Sequence, residues 1–374
     1  MFASVKPARA VSPGEVLSVE LEARGWTQKD LADIMSRPYQ AINEIIKGTK
    51  QITPHTAIEL AEAFGTSSEF WLNLESNYRL ALAEKTKQDK RILRKSRLYS
   101  IVPLRQLIKR RWIKASRQIE DLEQEVCRFL EIKSLDQTPH FAGVNFRVSE
   151  ARGPEALCQY AWIARVRELA FRQKVSRFSL RALKNAVDDL LTLSEKAEDV
   201  AAVPYRLLES GVRFVIVPHL PKSYLDGATW MTGNNPLIAL TLRYDRIDSF
   251  WFTLLHELAH ILLKHSGAHF DNLYDGASGG KKAHEDQANQ HASRWLVEPE
   301  ALSEFVSQDS LYYSRGSVEQ CAHQLGRHPG IIVGQMHHAG LLDYSYLRNY
   351  LVPVRSYLRE WIDRPGPKQV VVGT

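Results

Sequence analysis

The stretch that decides the fold of the C-terminal half is DSFWFTLLHELAHILLKH, residues 248–265. It is apolar enough for a buried helix, yet it carries His256, Glu257 and His260 as H-E-x-x-H. Two His four apart on a helix lie about 40° apart around its axis, at about 100° per residue, so both imidazoles face one metal ion. Glu257 projects beside them, placed to hold and deprotonate a water on that ion. Phe252, Leu254, Leu255, Ile261 and Leu262 leave this helix little polar surface. Burying two His and a Glu without partners costs several kcal/mol, so something must satisfy them. Because a five-residue pattern also arises by chance, on an amphipathic helix with satisfied histidines, a third protein ligand is the test.

The metzincin spacing fails, since Leu263 and Ser266 stand where Gly and His are required. His265, five residues past His260, lies about 140° around a continuing helix and leaves the metal-facing side. Downstream, HEDQANQHASRWLVEP, residues 284–299, reads as a second helix. There Glu285 and Asn289 share a face, flanked by Ala288 and Ala292 for close packing. A carboxylate with a hydrogen-bonding residue one turn on is the gluzincin arrangement, with His256, His260 and Glu285 as ligands, Asn289 behind them and water in the fourth position. His269, His284 and His291 compete as ligands. His284 is about 100° off the Glu285 face and His291 points away from it, which favours structural or supporting roles. Upstream, GVRFVIVP (211–218) and PLIALTL (236–242) read as strands, with Asp226-Gly227 as a turn between them.

From about Gly211 to Pro299 the chain resembles the ImmA/IrrE metallopeptidase family, through FWFTLLHELAHILLKH and EDQANQHASRWLVEP. The later stretch HPGIIVGQMHHAGLLDY, residues 328–344, is also similar to family members. His291 stands where Phe is usual, Trp295 where Leu is usual, and Pro299 falls one residue late. The resemblance implies Zn2+ held by His256, His260 and Glu285, with Glu257 as the catalytic general base. It also implies a zinc metalloendopeptidase whose protein substrate is often a helix-turn-helix repressor. An oxyanion stabiliser is still required, and His219, Tyr224, His265 and His269 all stay open for that role.

The N-terminal part has different punctuation. A helix runs to Gly25 with Val16, Val19 and Leu21 at helical spacing; a second starts after Thr27, with Leu31, Ile34 and Met35 on one face. Pro38 opens a third, closed by Gly48, and Thr53-Pro54 opens a fourth, closed by Gly65. A fifth begins near Ser67. Short helices joined by a tight turn in such a unit make a helix-turn-helix, whose third helix enters the major groove. Tyr39, Gln40 and Asn43 would meet base edges, Gln and Asn being able to bond adenine bidentately. Gln28, Lys47 and Lys50 would contact phosphates. The run from PGEVLSVELEARGWTQ to EFWLNLESNYRLA looks like the lambda-repressor-type domain of HigA-like antitoxins, with Ser36 at a turn position where Gly is common and Arg79 in place of Asp. That resemblance implies a homodimer on double-stranded operator DNA, and in many members an RNase toxin as partner.

Composition sets the frame around these motifs. The chain has 374 residues, 25% charged and 44% hydrophobic, ordinary for a soluble globular protein and too long for one compact domain. Three scattered Cys argue against a disulfide framework or a thiolate zinc site. With no signal-like segment and no apolar span of membrane length, the expected localisation is cytoplasmic, with no membrane partner. Residues 85–117 hold thirteen Lys/Arg against one acid, Asp89, which is either a solvated helix face or an added electrostatic contribution to DNA affinity. The expected fold class is mainly α with a small β-sheet (α+β). Four segments are expected: a helix-turn-helix domain at 1–84, a basic helical connector at 85–205, a peptidase-like domain at 206–305 and a C-terminal helical extension at 306–374. Function divides two ways: a DNA-binding regulator fused to an active zinc endopeptidase, or an inactive antitoxin-like autorepressor whose C-terminal half is a sensor or partner-binding scaffold.

Overall fold

The computed structural model describes residues 11–86, 91–137, 154–265, 269–271, 280–308 and 313–367. The loop expected at 138–154 falls almost wholly outside these. Packing divides the chain into two units, residues 1–93 and 94–374.

The first unit is built of α1 (Pro13–Arg24), α2 (Gln28–Ile34), α3 (Tyr39–Ile46), α4 (Pro54–Phe64) and α5 (Ser68–Thr86). Ser12, Thr27 and Thr53 cap the first, second and fourth, and Gly25 and Gly65 end the first and fourth in the left-handed conformation. Thr27 and Asp30 form a reciprocal capping box, in which the Thr27 N–H donates to the carboxylate and holds its pKa below the ordinary Asp value. Leu17, Leu21, Leu31, Ile42, Leu60 and Trp71 make the core. The expected faces need correction in two places: Val19 is 62% and Ile34 49% exposed, while Leu17 takes the inward position on α1.

Ser36 has φ 48°. It sits at the left-handed position of a Schellman motif, with Arg37 N–H donating to the Ala32 carbonyl and Ser36 N–H to that of Asp33. Arg79 also has a structural role: it donates to Glu75 at 2.6 Å and to the Gly48 carbonyl at 3.2 Å, tying α5 to the end of α3.

The helix α6 (Arg91–Ile101) crosses from one unit to the next. The second unit continues with α7 (Leu104–Lys109), α8 (Ile119–Phe129), α9 (Pro154–Ala170), α10 (Leu180–Thr192) and α11 (Val203–Glu209). A sheet follows, from β1 (Arg213–Ile216), β2 (Gly227–Thr232), β3 (Asn235–Leu240) and β4 (His269–Asp271), in the order β1-β3-β2-β4. β1 pairs parallel to β3, while β2 is antiparallel to both β3 and β4. The remaining helices are α12 (Ile247–Leu262), α13 (Gly280–Leu296), α14 (Pro299–Gln308), α15 (Arg315–Leu325) and α16 (Pro329–His338).

Alternation along the strands gives the sheet two buried faces. Val215, Ala228, Trp230, Leu237 and Ala239 pack with residues of α6–α9, which include Leu98, Leu107, Val126 and Trp162. Phe214, Ile216, Ile238 and Leu240 face the core shared by α10–α13, α15 and α16. Asp226-Gly227 is not the expected turn: Gly227 is the first residue of β2 and pairs with Leu240, and Thr241 N–H donates to the Asp226 carbonyl. The basic run is partly committed to this unit, since Arg94 bonds Glu120 and Glu123, Arg97 bonds Asp136, and Arg110 donates to the carbonyls of Pro218 and His219. No helix among the described residues is long and apolar enough to cross a membrane.

Candidate metal centre and DNA-binding face

The helix α12 is buried along most of its length, and His256, Glu257 and His260 are at most 1% exposed. α13 packs against it, with Ala288 and Ala292 fully buried at the contact. That small-residue seam brings Glu285 into reach. His256 Nε2 lies 3.0 Å from His260 Nε2 and 3.1 Å from Glu285 Oε2, which is itself 3.4 Å from His260 Nε2. Among the described residues this trio is the group able to hold a metal ion.

Hydrogen bonds behind the rings set their tautomers. Asn289 Oδ1 is 2.9 Å from His256 Nδ1. An amide oxygen only accepts, so Nδ1 carries the proton and Nε2 presents a lone pair. His260 is governed by a longer relay. Gln287 Oε1 lies 3.1 Å from His265 Nε2, making that nitrogen the donor. His265 Nδ1, 2.9 Å from His260 Nδ1, therefore accepts, and His260 Nε2 likewise carries no proton. Two imidazole lone pairs and a carboxylate oxygen thus converge at about hydrogen-bond separation. In a buried site this repulsive set calls for a cation at its centre.

His265 stays out of the ligand trio but returns to the last turn of α12, because the helix breaks after Leu262 and Lys264 takes φ 56°. His265 N–H donates to the His260 carbonyl and Lys264 N–H to that of Ile261, another Schellman motif. Such a motif brings the residue after the left-handed position back onto the last turn, here His265 onto His260. Gly usually announces it; Lys at this position gave no signal.

Glu257 is fully buried against β2. A Cβ added at Gly227 would lie 2.5 Å from Glu257 Oε1 and 2.8 Å from Thr253 Cγ2, so only Gly leaves room for the carboxylate. Of the other histidines, His284 stacks on His265 with ring centroids 4.1 Å apart, and His291 packs on Trp295. The candidates for oxyanion stabilisation are dispersed. Burial, aided by Arg243, Arg110 and Arg355, holds the His219 imidazole below its ordinary pKa. Tyr224 has φ 51° and lies under the Arg243 guanidinium. The His269 side chain lies outside the described residues.

In the first unit Tyr39 and Gln40 open α3 and are exposed, Asn43 follows one turn on, and Lys47 and Lys50 are exposed beyond it. Gln28 is half-buried at the start of α2. One partner was missed: Glu44 accepts from the Gln40 amide at 3.0 Å and lies 3.9 Å from Lys50 Nζ.

Comparison with known proteins finds a match in each unit. A helix-turn-helix profile matches residues 20–71, and an IrrE N-terminal-like domain profile matches residues 211–333. Virulence-associated protein I of Dichelobacter nodosus is 36% identical over 85 residues, which are 22% of this chain and 79% of that protein. Antitoxin HigA-1 of Vibrio cholerae is 44% identical over 68 residues, 18% of this chain and 64% of that protein. Among solved structures, Pseudomonas aeruginosa antitoxin HigA with the higBA promoter shares 36% identity, covering 20% of this chain and 83% of that one, at a TM-score of 0.20.

Proposed function

Since the chain belongs to the helix-turn-helix family with HigA-like relatives and carries an IrrE N-terminal-like domain, we propose that it is an operator-binding regulator with its own zinc-dependent endopeptidase. The observation that carries the peptidase reading is the convergence of His256 Nε2, His260 Nε2 and Glu285 Oε2, with both imidazoles held in the ligating tautomer. Zn2+ held by these three would supply Lewis-acid polarisation of a scissile carbonyl and of the attacking water. Glu257 takes the proton from that water and passes it to the leaving amine, so the amide becomes an acid and an amine. Gly227 leaves the space in which this carboxylate sits, while Asn289 and the His265–Gln287 pair keep protons off the ligating nitrogens. The protein substrate on this reading is a repressor or similar regulatory protein.

The DNA-binding role rests on the first unit, where Tyr39, Gln40 and Asn43 form the base-reading edge of α3 and Gln28, Lys47 and Lys50 contact phosphates. The functional form is a homodimer on double-stranded operator DNA. Identity to HigA antitoxins favours a second reading, an autorepressor that binds an RNase toxin and has no peptidase turnover. Glu257→Gln separates the two. Purified protein with zinc is incubated with candidate repressors, itself included, and products are read by mass spectrometry. Cleavage by the wild type that is lost in Glu257→Gln, with operator binding unchanged, supports the peptidase; no cleavage by either favours the autorepressor.

A further inference from the structure

A cavity of about 220 Å³ lies about one helical turn from the metal centre. Phe252, one turn before His256 on α12, and Asn289, one turn after Glu285 on α13, both line it, so it continues the seam between the two helices by roughly one turn, about 5.4 Å. α16 closes the far side through Gly334, Gln335 and His338. Gly334 permits that approach, because a Cβ there would lie 2.5 Å from Asp248 Cβ. The space exceeds the roughly 150 Å³ that suffices for a benzene ring.

Its lining is selective in kind. Tyr244, Phe252 and Tyr344 contribute aromatic rings. Among the described residues of the wall, Arg246 and Asp248 are the guanidinium and the carboxylate, and they pair through two hydrogen bonds, the Nε–Oδ1 one at 3.0 Å. An acidic or basic side chain would have to compete with that ion pair for a counter-charge, at a cost in desolvation. Gln335 and His338 offer hydrogen-bonding groups suited to a phenol or an indole N–H. We propose that this cavity is the subsite for a residue beside the scissile bond, and that it selects an aromatic, uncharged side chain: Phe, Tyr or Trp. The inference rests on the peptidase reading above.

Hydroxamates that differ only in their tails test it on the full-length, zinc-loaded protein. Acetohydroxamate reports the metal centre alone, 3-phenylpropanohydroxamate adds a ring within about one helical turn, and succinohydroxamate adds a charge. Isothermal titration is expected to give at least tenfold tighter binding for the phenyl compound than for acetohydroxamate, and no gain for the succinate. Tyr344 is 61% exposed, so Tyr344→Ala should fold normally and reduce the phenyl preference several-fold, while Gln335→Trp, by filling the cavity, should abolish it. Acetohydroxamate affinity should stay unchanged in both. Equal affinity for the methyl and phenyl compounds, a gain for the charged tail, or a phenyl preference untouched by both variants overturns the subsite. A chain that takes up no zinc overturns the peptidase reading itself, and this inference with it.

Discussion

Replacing Asn289 tests whether the metal site depends on its supporting hydrogen bonds. Asn289 Oδ1 holds the proton of His256 Nδ1 at 2.9 Å, and His256 is wholly buried. In Asn289→Leu that donor has no acceptor, which costs about 1–3 kcal/mol. The neutral ring can then also move its proton to Nε2, where it blocks the metal. Loss of such a partner lowers metal affinity about 10–100-fold, roughly 1.4–2.7 kcal/mol. Asn289 borders the cavity, so in Asn289→Ala a water can replace the lost oxygen and the expected loss lies near tenfold. Asn289→Leu excludes that water and should approach 100-fold. Asn289→Asp supplies a charged acceptor, about twice as strong a bond, and should tighten binding. Zinc competition against a chromophoric chelator measures all three. Asn289→Leu within twofold of the wild type would mean that something other than Asn289 sets the His256 tautomer.

Four further outcomes are expected. Gly227→Ala should displace the Glu257 carboxylate by close to an ångström and lower peptidase turnover about 100-fold, while zinc affinity, read by the same competition, stays near wild type. Ser36→Gly relieves a left-handed residue that costs about 1–2 kcal/mol; after the added chain entropy of Gly, about 0.4–1 kcal/mol, guanidinium unfolding should show a gain of at most about 1.6 kcal/mol. Glu44→Gln frees Gln40 and Lys50 from a carboxylate and should strengthen binding to nonspecific duplex DNA in a fluorescence-anisotropy titration, with a steeper salt dependence. His328 caps α16, accepting from Gly330 N–H, and burial holds its pKa below the ordinary His value despite Glu198 nearby. The unfolded chain therefore binds the proton first, so stability is full above the ordinary pKa and is lost as pH falls towards the folded value. His328→Asn keeps a cap and should flatten that decline in thermal melts between pH 7 and 5.

Much of this was legible in local pattern. The 3.6-residue period with Thr27, Pro38 and Thr53 as starts and Gly25, Gly48 and Gly65 as stops marked α1 to α4, and the H-E-x-x-H spacing with Glu285 and Asn289 four apart marked the facing stripes of α12 and α13. What escaped depends on backbone states that side-chain identity did not advertise. Lys264 adopts a left-handed conformation without being Gly, so the return of His265 onto His260 had no sequence signal. Gly227 read as a turn because Asp-Gly favours one, whereas its lack of a side chain serves the approach of Glu257. The packing of α6–α9 on one sheet face joins residues more than a hundred positions apart, such as Leu107 and Leu237, and no local period encodes that.

The peptidase reading requires His256, His260 and Glu285 to hold one zinc ion per chain. Native mass spectrometry of the purified full-length protein beside Glu285→Ala tests it most directly. One zinc per chain is expected in the wild type, and loss of that zinc in the variant. A wild type that stays metal-free after zinc is supplied, or a variant that keeps its zinc, would contradict it.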